Sequence, residues 1–105
     1  MAELKYEVII SDEAKRMLGK HIRFVAQENK KAAIKKKDDI IKAIRSLEEY
    51  MPQRFPFMNE PYIPPNKYHK MFVSKYYLLI YQIKDSTVYV EYIIDCRQDY
   101  SWLLM

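Results

Sequence analysis

All five prolines of this chain, Pro52, Pro56, Pro61, Pro64 and Pro65, fall between positions 52 and 65. Proline lacks an amide donor and fixes φ, so neither a helix interior nor a central strand can run through this stretch. The chain is thereby divided in two. Helical periodicity dominates the residues before the stretch, and strand periodicity dominates the residues after it.

Before the prolines, Tyr6, Val8 and Ile10 alternate with Lys5, Glu7 and Ile9, a period-two pattern that predicts a short strand with one better-buried face. Ser11 comes next as a helix cap, with Asp12 and Glu13 placing carboxylates at the positive helix N-terminus. Ala14, Met17, Leu18, His21, Ile22, Val25 and Ala26 recur at three- and four-residue steps and predict one apolar stripe. A second helix is expected from near Asn29, with Ala33, Ile40, Ile41, Ile44, Leu47 and Met51 as its stripe, ending at Pro52. Two helices so closely joined predict a helical hairpin.

After the prolines the residues turn to tyrosine and β-branched types, and strands are expected over 68–73, 76–83 and 88–95. Ser74-Lys75 and Lys84-Asp85-Ser86 are short polar breaks, which predict hairpins and an antiparallel meander. The middle strand is apolar on both faces, as a central strand is. Within the proline link, Phe55, Phe57, Tyr62 and Ile63 are expected to pin the loop to the core. The fold class that results is α+β: an N-terminal strand, a helical hairpin, then a meander forming one sheet packed by the helices. The helices should cover one face of the sheet and leave the other open.

A chain of 105 residues is expected to share one core, so a single domain over 1–105 is predicted. Cys96 is the sole cysteine, which excludes an intrachain disulfide and a thiolate metal site and fits a reducing cytoplasm. The first ten residues lack the apolar run of a signal peptide or membrane span, so no membrane association is expected. A net charge of +4 favours polyanionic partners. Lys30, Lys31, Lys35, Lys36, Lys37, Lys42 and Arg45 make the second helix strongly basic, a surface for RNA, DNA or an acidic protein segment, or simply a solvated face.

The order of elements, with the opening Tyr6-Glu7-Val8-Ile9-Ile10-Ser11 leading into Ala14 and Leu18, the run Tyr77-Leu78-Leu79-Ile80-Tyr81-Gln82-Ile83, and the exit Asp95-Cys96-Arg97-Gln98-Asp99-Tyr100, resembles the RelE/ParE toxins of bacterial type II toxin–antitoxin modules. The resemblance covers almost the whole chain. It implies a small cytoplasmic plasmid-stabilization-type toxin that is neutralised by a cognate antitoxin. It implies one of two mechanisms: ribosome-dependent cleavage of messenger RNA, or poisoning of DNA gyrase. The expected function is translation inhibition as an mRNA interferase, with ribosome and mRNA as partners. The alternatives are a ParE-type gyrase-binding toxin without RNase activity and a degenerate antitoxin-binding member. A small-molecule substrate is not expected, nor is a cofactor or metal.

A metal-independent endoribonuclease needs a base for the 2′-hydroxyl, an acid for the departing 5′-oxygen and cations for the phosphate. The resemblance assigns this work to basic residues of the sheet, including an arginine just after the tyrosine that opens the central strand. That position is Leu78, and leucine can neither donate a hydrogen bond nor stabilise phosphate charge. The expected catalytic residues are His69, Lys70, Arg97 and Tyr100. Histidine's unperturbed pKa lies near neutrality, which suits His69 to acid–base work, and Lys70 can hold a phosphate. Arg97 can clamp one, and Tyr100 can stack on a base or act as an acid. A one-residue uncertainty in strand register leaves open whether His69 or Lys70 faces the site. Arg97 and Asp99 could equally form a surface pair. Tyr68, Tyr76, Tyr77, Tyr81, Tyr89 and Tyr92 could form a stacking surface for single-stranded RNA, although tyrosine is also a good strand residue. His21, on the first helix's stripe, is expected to be a packing residue.

Overall fold

The computed structural model describes residues 5–49, 52–58, 64, 66–74 and 76–96. The elements run β1 (Glu7–Ile10), α1 (Asp12–Ala26), α2 (Lys30–Glu49), a 3₁₀ turn (Pro52–Arg54), β2 (His69–Val73), β3 (Tyr77–Lys84) and β4 (Thr87–Asp95). The four strands form one sheet in the order β1-β4-β3-β2. The meander is antiparallel throughout, and β1 adds to it in parallel beside the first half of β4.

Ser11 turns the chain from sheet to helix and ties both to β4. Its amide donates to the Val90 carbonyl at 2.9 Å. Its hydroxyl accepts from the Ala14 amide at 3.0 Å and donates to the Glu91 carbonyl at 2.8 Å. A cap of this kind contributes about 1 kcal/mol. α1 ends at Gln27 and the chain re-enters helix after Asn29, whose side-chain oxygen accepts from the Ala32 amide at 3.0 Å. The helical hairpin therefore has a cap at each start, where the sequence places one.

β1 is four residues long and β4 is nine, so beyond Val90 the outer edge of β4 has no strand partner among the described residues. α1 lies along that edge. His21 is buried there, and its Nε2 donates to the Ile93 carbonyl at 2.9 Å. An exposed strand edge is a template for unwanted pairing, and a covering helix removes it.

The two hairpins differ. Asp85 and Ser86 alone join β3 to β4, and Asp85 takes the positive φ of 56° that a tight turn needs at its first position. Three residues, 74–76, join β2 to β3, with Ser74 at φ 57°. Within β4 the register slips at Glu91: Tyr81 pairs with Val90 and Ile80 with Tyr92. This bulge lets Val88, Val90 and Ile93 share one face despite their uneven spacing.

That face meets the helices. Tyr77, Leu79, Tyr81, Val88, Val90, Ile93 and Val73 pack with Ala14 of α1 and Ile40, Ile44 and Leu47 of α2. Each such aliphatic side chain, once fully buried, contributes about 1.5–3 kcal/mol. The other face is not open, contrary to expectation. Leu78, Ile80 and Ile94 are buried there with Met58, and Met17, Tyr68, Tyr92 and Cys96 pack around them. An apolar strand face has to be covered, and Met58 of the proline link does so. The link is held by antiparallel pairing to the start of β2, with Met58 N donating to the Tyr68 carbonyl at 2.7 Å and Lys70 N to the Pro56 carbonyl at 2.9 Å. Phe55 is half-buried against the helix-side core, Phe57 stays 36% exposed, and Tyr62 and Ile63 lie outside the described residues. No described helix is long and apolar enough to cross a membrane.

Candidate functional site

The strand register settles which way His69 and Lys70 face. His69 pairs with Tyr81 and shares the helix side, whereas Lys70 pairs with Ile80 and lies on the opposite face. The two do not converge. His69 is 6% exposed, and its Nδ1 lies 2.7 Å from the Phe55 carbonyl, which can only accept, so Nδ1 carries the proton. Its ring stacks on Tyr81 at 5.3 Å and tilts against Phe57 at 4.2 Å. A donor to a carbonyl, enclosed by two rings, holds the link against the sheet. Lys70 is half-buried at the sheet's edge strand. Arg97 and Tyr100 lie outside the described residues.

The tyrosines are also divided. Tyr77 and Tyr81 point into the helix-side core, and Tyr68 and Tyr92 pack on the opposite face. Tyr76 sits in the β2–β3 connection. Tyr89, paired with Gln82, lies on the same face as Tyr68 and Tyr92, so the six split between the two faces and the connection and form no single stacking surface. Burial pushes the Tyr81 phenol well above its ordinary range, and its hydroxyl donates to the Pro52 carbonyl at 2.7 Å. Burial is also the main cause that raises the Tyr92 phenol. Neither hydroxyl is an acid near neutral pH.

Leu78 is 3% exposed on the face opposite the helices. Its neighbours in that cluster are Met58, Ile80 and Ile94, so the middle of the face is hydrocarbon. A hydrocarbon surface offers a developing phosphorane no donor and no positive charge. Among the described residues no group of three His, Cys, Asp or Glu side chains is arranged to hold a metal ion.

The geometry that does suit a ligand lies between the helices. A groove of about 390 Å³ is lined by Ile10, Leu18, Gly19, Ile22 and Ile41, with Lys15, Arg23 and Lys37 beside them. Leu18 and Ile22 are one helical turn apart on α1, and the Arg23 guanidinium lies over Gly19, 3.2 Å from where a Cβ would stand. An apolar floor with a cationic rim accepts one face of an amphipathic segment whose flank is acidic. The sequence pattern contains this signal in part. Leu18 and Ile22 belong to the apolar stripe expected to be buried, yet both remain partly exposed. The cations at Lys15, Arg23 and Lys37 bracket them.

A family profile described as "ParE toxin of type II toxin-antitoxin system, parDE" matches residues 8–100. Among solved structures, the chain is similar to one described as the chromosomal ParDE TA system from P. aeruginosa, with a TM-score of 0.69. Identity there is 14%, over 90% of this chain and 98% of that one, which is a likeness of fold. No curated protein matches the sequence.

Proposed function

This chain belongs to the ParE toxin family of type II toxin–antitoxin systems, and we propose that it poisons DNA gyrase by binding it, without cutting RNA. The observation that carries this reading is Leu78. At the strand position where RNA-cleaving relatives use arginine, a buried leucine sits in a cluster with Met58, Ile80 and Ile94. Introducing phosphate there would strip it of water with nothing to replace that hydration. Binding a protein target makes no such demand, because it needs shape and apolar area in place of an acid, a base and a cation.

The cognate antitoxin, in the same reading, docks in the groove between α1, α2 and β1. Leu18, Ile22 and Ile41 take its apolar side chains, and Lys15, Arg23 and Lys37 meet its carboxylates. A segment that folds on binding suits such a groove.

Induction of the chain in a bacterial host tests the mechanism. Plasmid supercoiling should fall while messenger RNA stays intact during the first minutes. Messenger RNA cut at defined sites with supercoiling unchanged would overturn the reading in favour of translation inhibition on the ribosome. His69→Ala, Lys70→Ala, Arg97→Lys and Tyr100→Phe would then show which of the four residues expected to be catalytic carry that activity.

A further inference from the structure

α1 and α2 begin in opposite ways. α1 has Asp12 and Glu13 in its first turn, whereas α2 has no acidic residue there and starts Lys30-Lys31-Ala32-Ala33-Ile34-Lys35-Lys36-Lys37. Cations in the first turn of a helix oppose its dipole. A helix shaped only for stability would not carry five lysines in its first eight positions. Helical spacing separates these charges by direction. Lys37 turns to the antitoxin groove, and Lys36 is half-buried with its ammonium 5.9 Å from the Tyr77 ring. Lys31, Lys35, Lys42 and Arg45 recur at four-, seven- and three-residue steps on the side opposite Ala33, Ile40, Ile44 and Leu47, and all four are exposed.

We propose that this outward stripe of α2, Lys31, Lys35, Lys42 and Arg45, is a docking surface for the phosphate backbone of duplex DNA. From Lys31 to Arg45 the helix rises about 21 Å, at about 1.5 Å per residue. Four cations are thus fixed in a line on a rigid rod, which suits a rigid, regularly charged duplex. A single strand would need aromatic side chains between the cations on which to stack its bases. The stripe has none: its outward neighbours include Asp38 and, at its far end, Glu48 and Glu49 beside Lys42 and Arg45. Those three carboxylates reduce the field, most at the Arg45 end, without reversing it along Lys31 and Lys35. Lys35 also pairs with Asp39 at 3.5 Å, but its side chain is 76% exposed, and an exposed pair is weak enough for a phosphate to displace. Lys31, Lys35 and Lys42 line neither the groove nor the cleft beside it, whereas Arg45 lines that adjoining cleft with Ile10 and Ile41, so DNA contact and antitoxin docking meet only at the Arg45 end of α2. DNA docking on α2 holds whether or not gyrase is the target.

Fluorescence anisotropy of the purified chain with a labelled 20-base-pair DNA duplex, in the absence of gyrase, tests it. Four phosphate contacts predict a slope of log affinity against log salt of about −3.6, a loss of about 150-fold between 50 and 200 mM salt. The variant Lys31→Gln, Lys35→Gln, Lys42→Gln, Arg45→Gln should abolish that binding while keeping its circular dichroism and melting temperature. Removing four exposed lysines elsewhere, Lys5, Lys20, Lys67 and Lys84, should leave the slope near its original value. Asp38→Lys should tighten binding and steepen the slope to about −4.5. Equal loss from both fourfold variants would reduce the effect to net charge and overturn the proposal. Tighter binding of single-stranded DNA, duplex RNA or a polyglutamate peptide than of duplex DNA would overturn it as well, the last in favour of an acidic protein partner.

Discussion

β3 is buried on both faces, yet its faces are closed in different ways. Tyr77, Leu79 and Tyr81 meet side chains from α1, α2, β2 and β4. Leu78 and Ile80 meet β4 and Met58, a residue of the proline link. The first face is enclosed by regular elements that cannot shift singly. The second is closed by Met58 of the link with Met17, Tyr68, Tyr92 and Cys96 around it, and methionine is the residue type best able to follow a change in its neighbours. The difference separates what holds the fold from the face on which the proposed function rests. The helix side is the framework, and on the opposite side hydrocarbon stands where catalytic charge would be needed.

Truncating each face in turn should separate them most clearly. Leu79→Ala should cost about 4 kcal/mol, toward the top of the range for buried leucine, because rigid neighbours cannot fill the cavity. Leu78→Ala should cost about 2 kcal/mol, because Met58 can move in. Chemical denaturation measures both, and equal losses or the reverse order would show that the two faces are equally rigid.

His69 links the faces through the proline segment. Replacing it with alanine removes the bond to the Phe55 carbonyl and two ring contacts, and should cost about 1–3 kcal/mol. Gyrase inhibition by the folded variant should be unchanged. A loss of toxicity at unchanged stability would instead assign His69 a direct functional role.

Tyr81→Phe probes the helix side through pH. Burial holds the phenol's proton in the folded chain beyond the point, near pH 10, at which an unfolded tyrosine releases it. The folded state then binds more protons, so the stabilisation is full below about pH 10 and is lost as pH rises above it. At neutral pH the variant should lose about 1 kcal/mol with the hydrogen bond to Pro52. Above pH 10 the gap between variant and parent should narrow, and a gap that widens would contradict the burial argument.

The smallest stability effect is expected in the groove. Ile22→Glu, at a half-exposed position, should change stability by about 0.5 kcal/mol or less. Its affinity for an antitoxin should still fall more than tenfold, as measured by calorimetry, because the carboxylate enters an apolar floor. Unchanged affinity would place the antitoxin elsewhere.

Much of the framework is legible in the sequence because it is written locally. Ser11 and the residues near Asn29 begin their helices where capping chemistry places them, and the hairpin breaks fall at Ser74 and Asp85, two positions of positive φ. What the sequence hides depends on distant pairing. The parallel partnership of β1 with β4 joins residues about eighty positions apart. The face taken by His69 is set by the register between β2 and β3, which no local pattern determines. Met58 lies in a stretch without periodicity, so its burial, and with it the closed second face, has no local signal. The groove is half visible: Leu18 and Ile22 stand out as apolar, but only the packing of α2 shows them meeting Lys37 across a cleft.

In the proposed function, the chain binds gyrase, and the buried hydrocarbon around Leu78 leaves no place for RNA chemistry. The decisive measurement incubates the purified chain with purified gyrase and relaxed plasmid, and in parallel with programmed ribosomes. Supercoiling should be blocked at near-stoichiometric toxin, and ribosome-bound messenger RNA should remain whole. Cut messenger RNA together with undisturbed supercoiling would contradict the gyrase-binding reading.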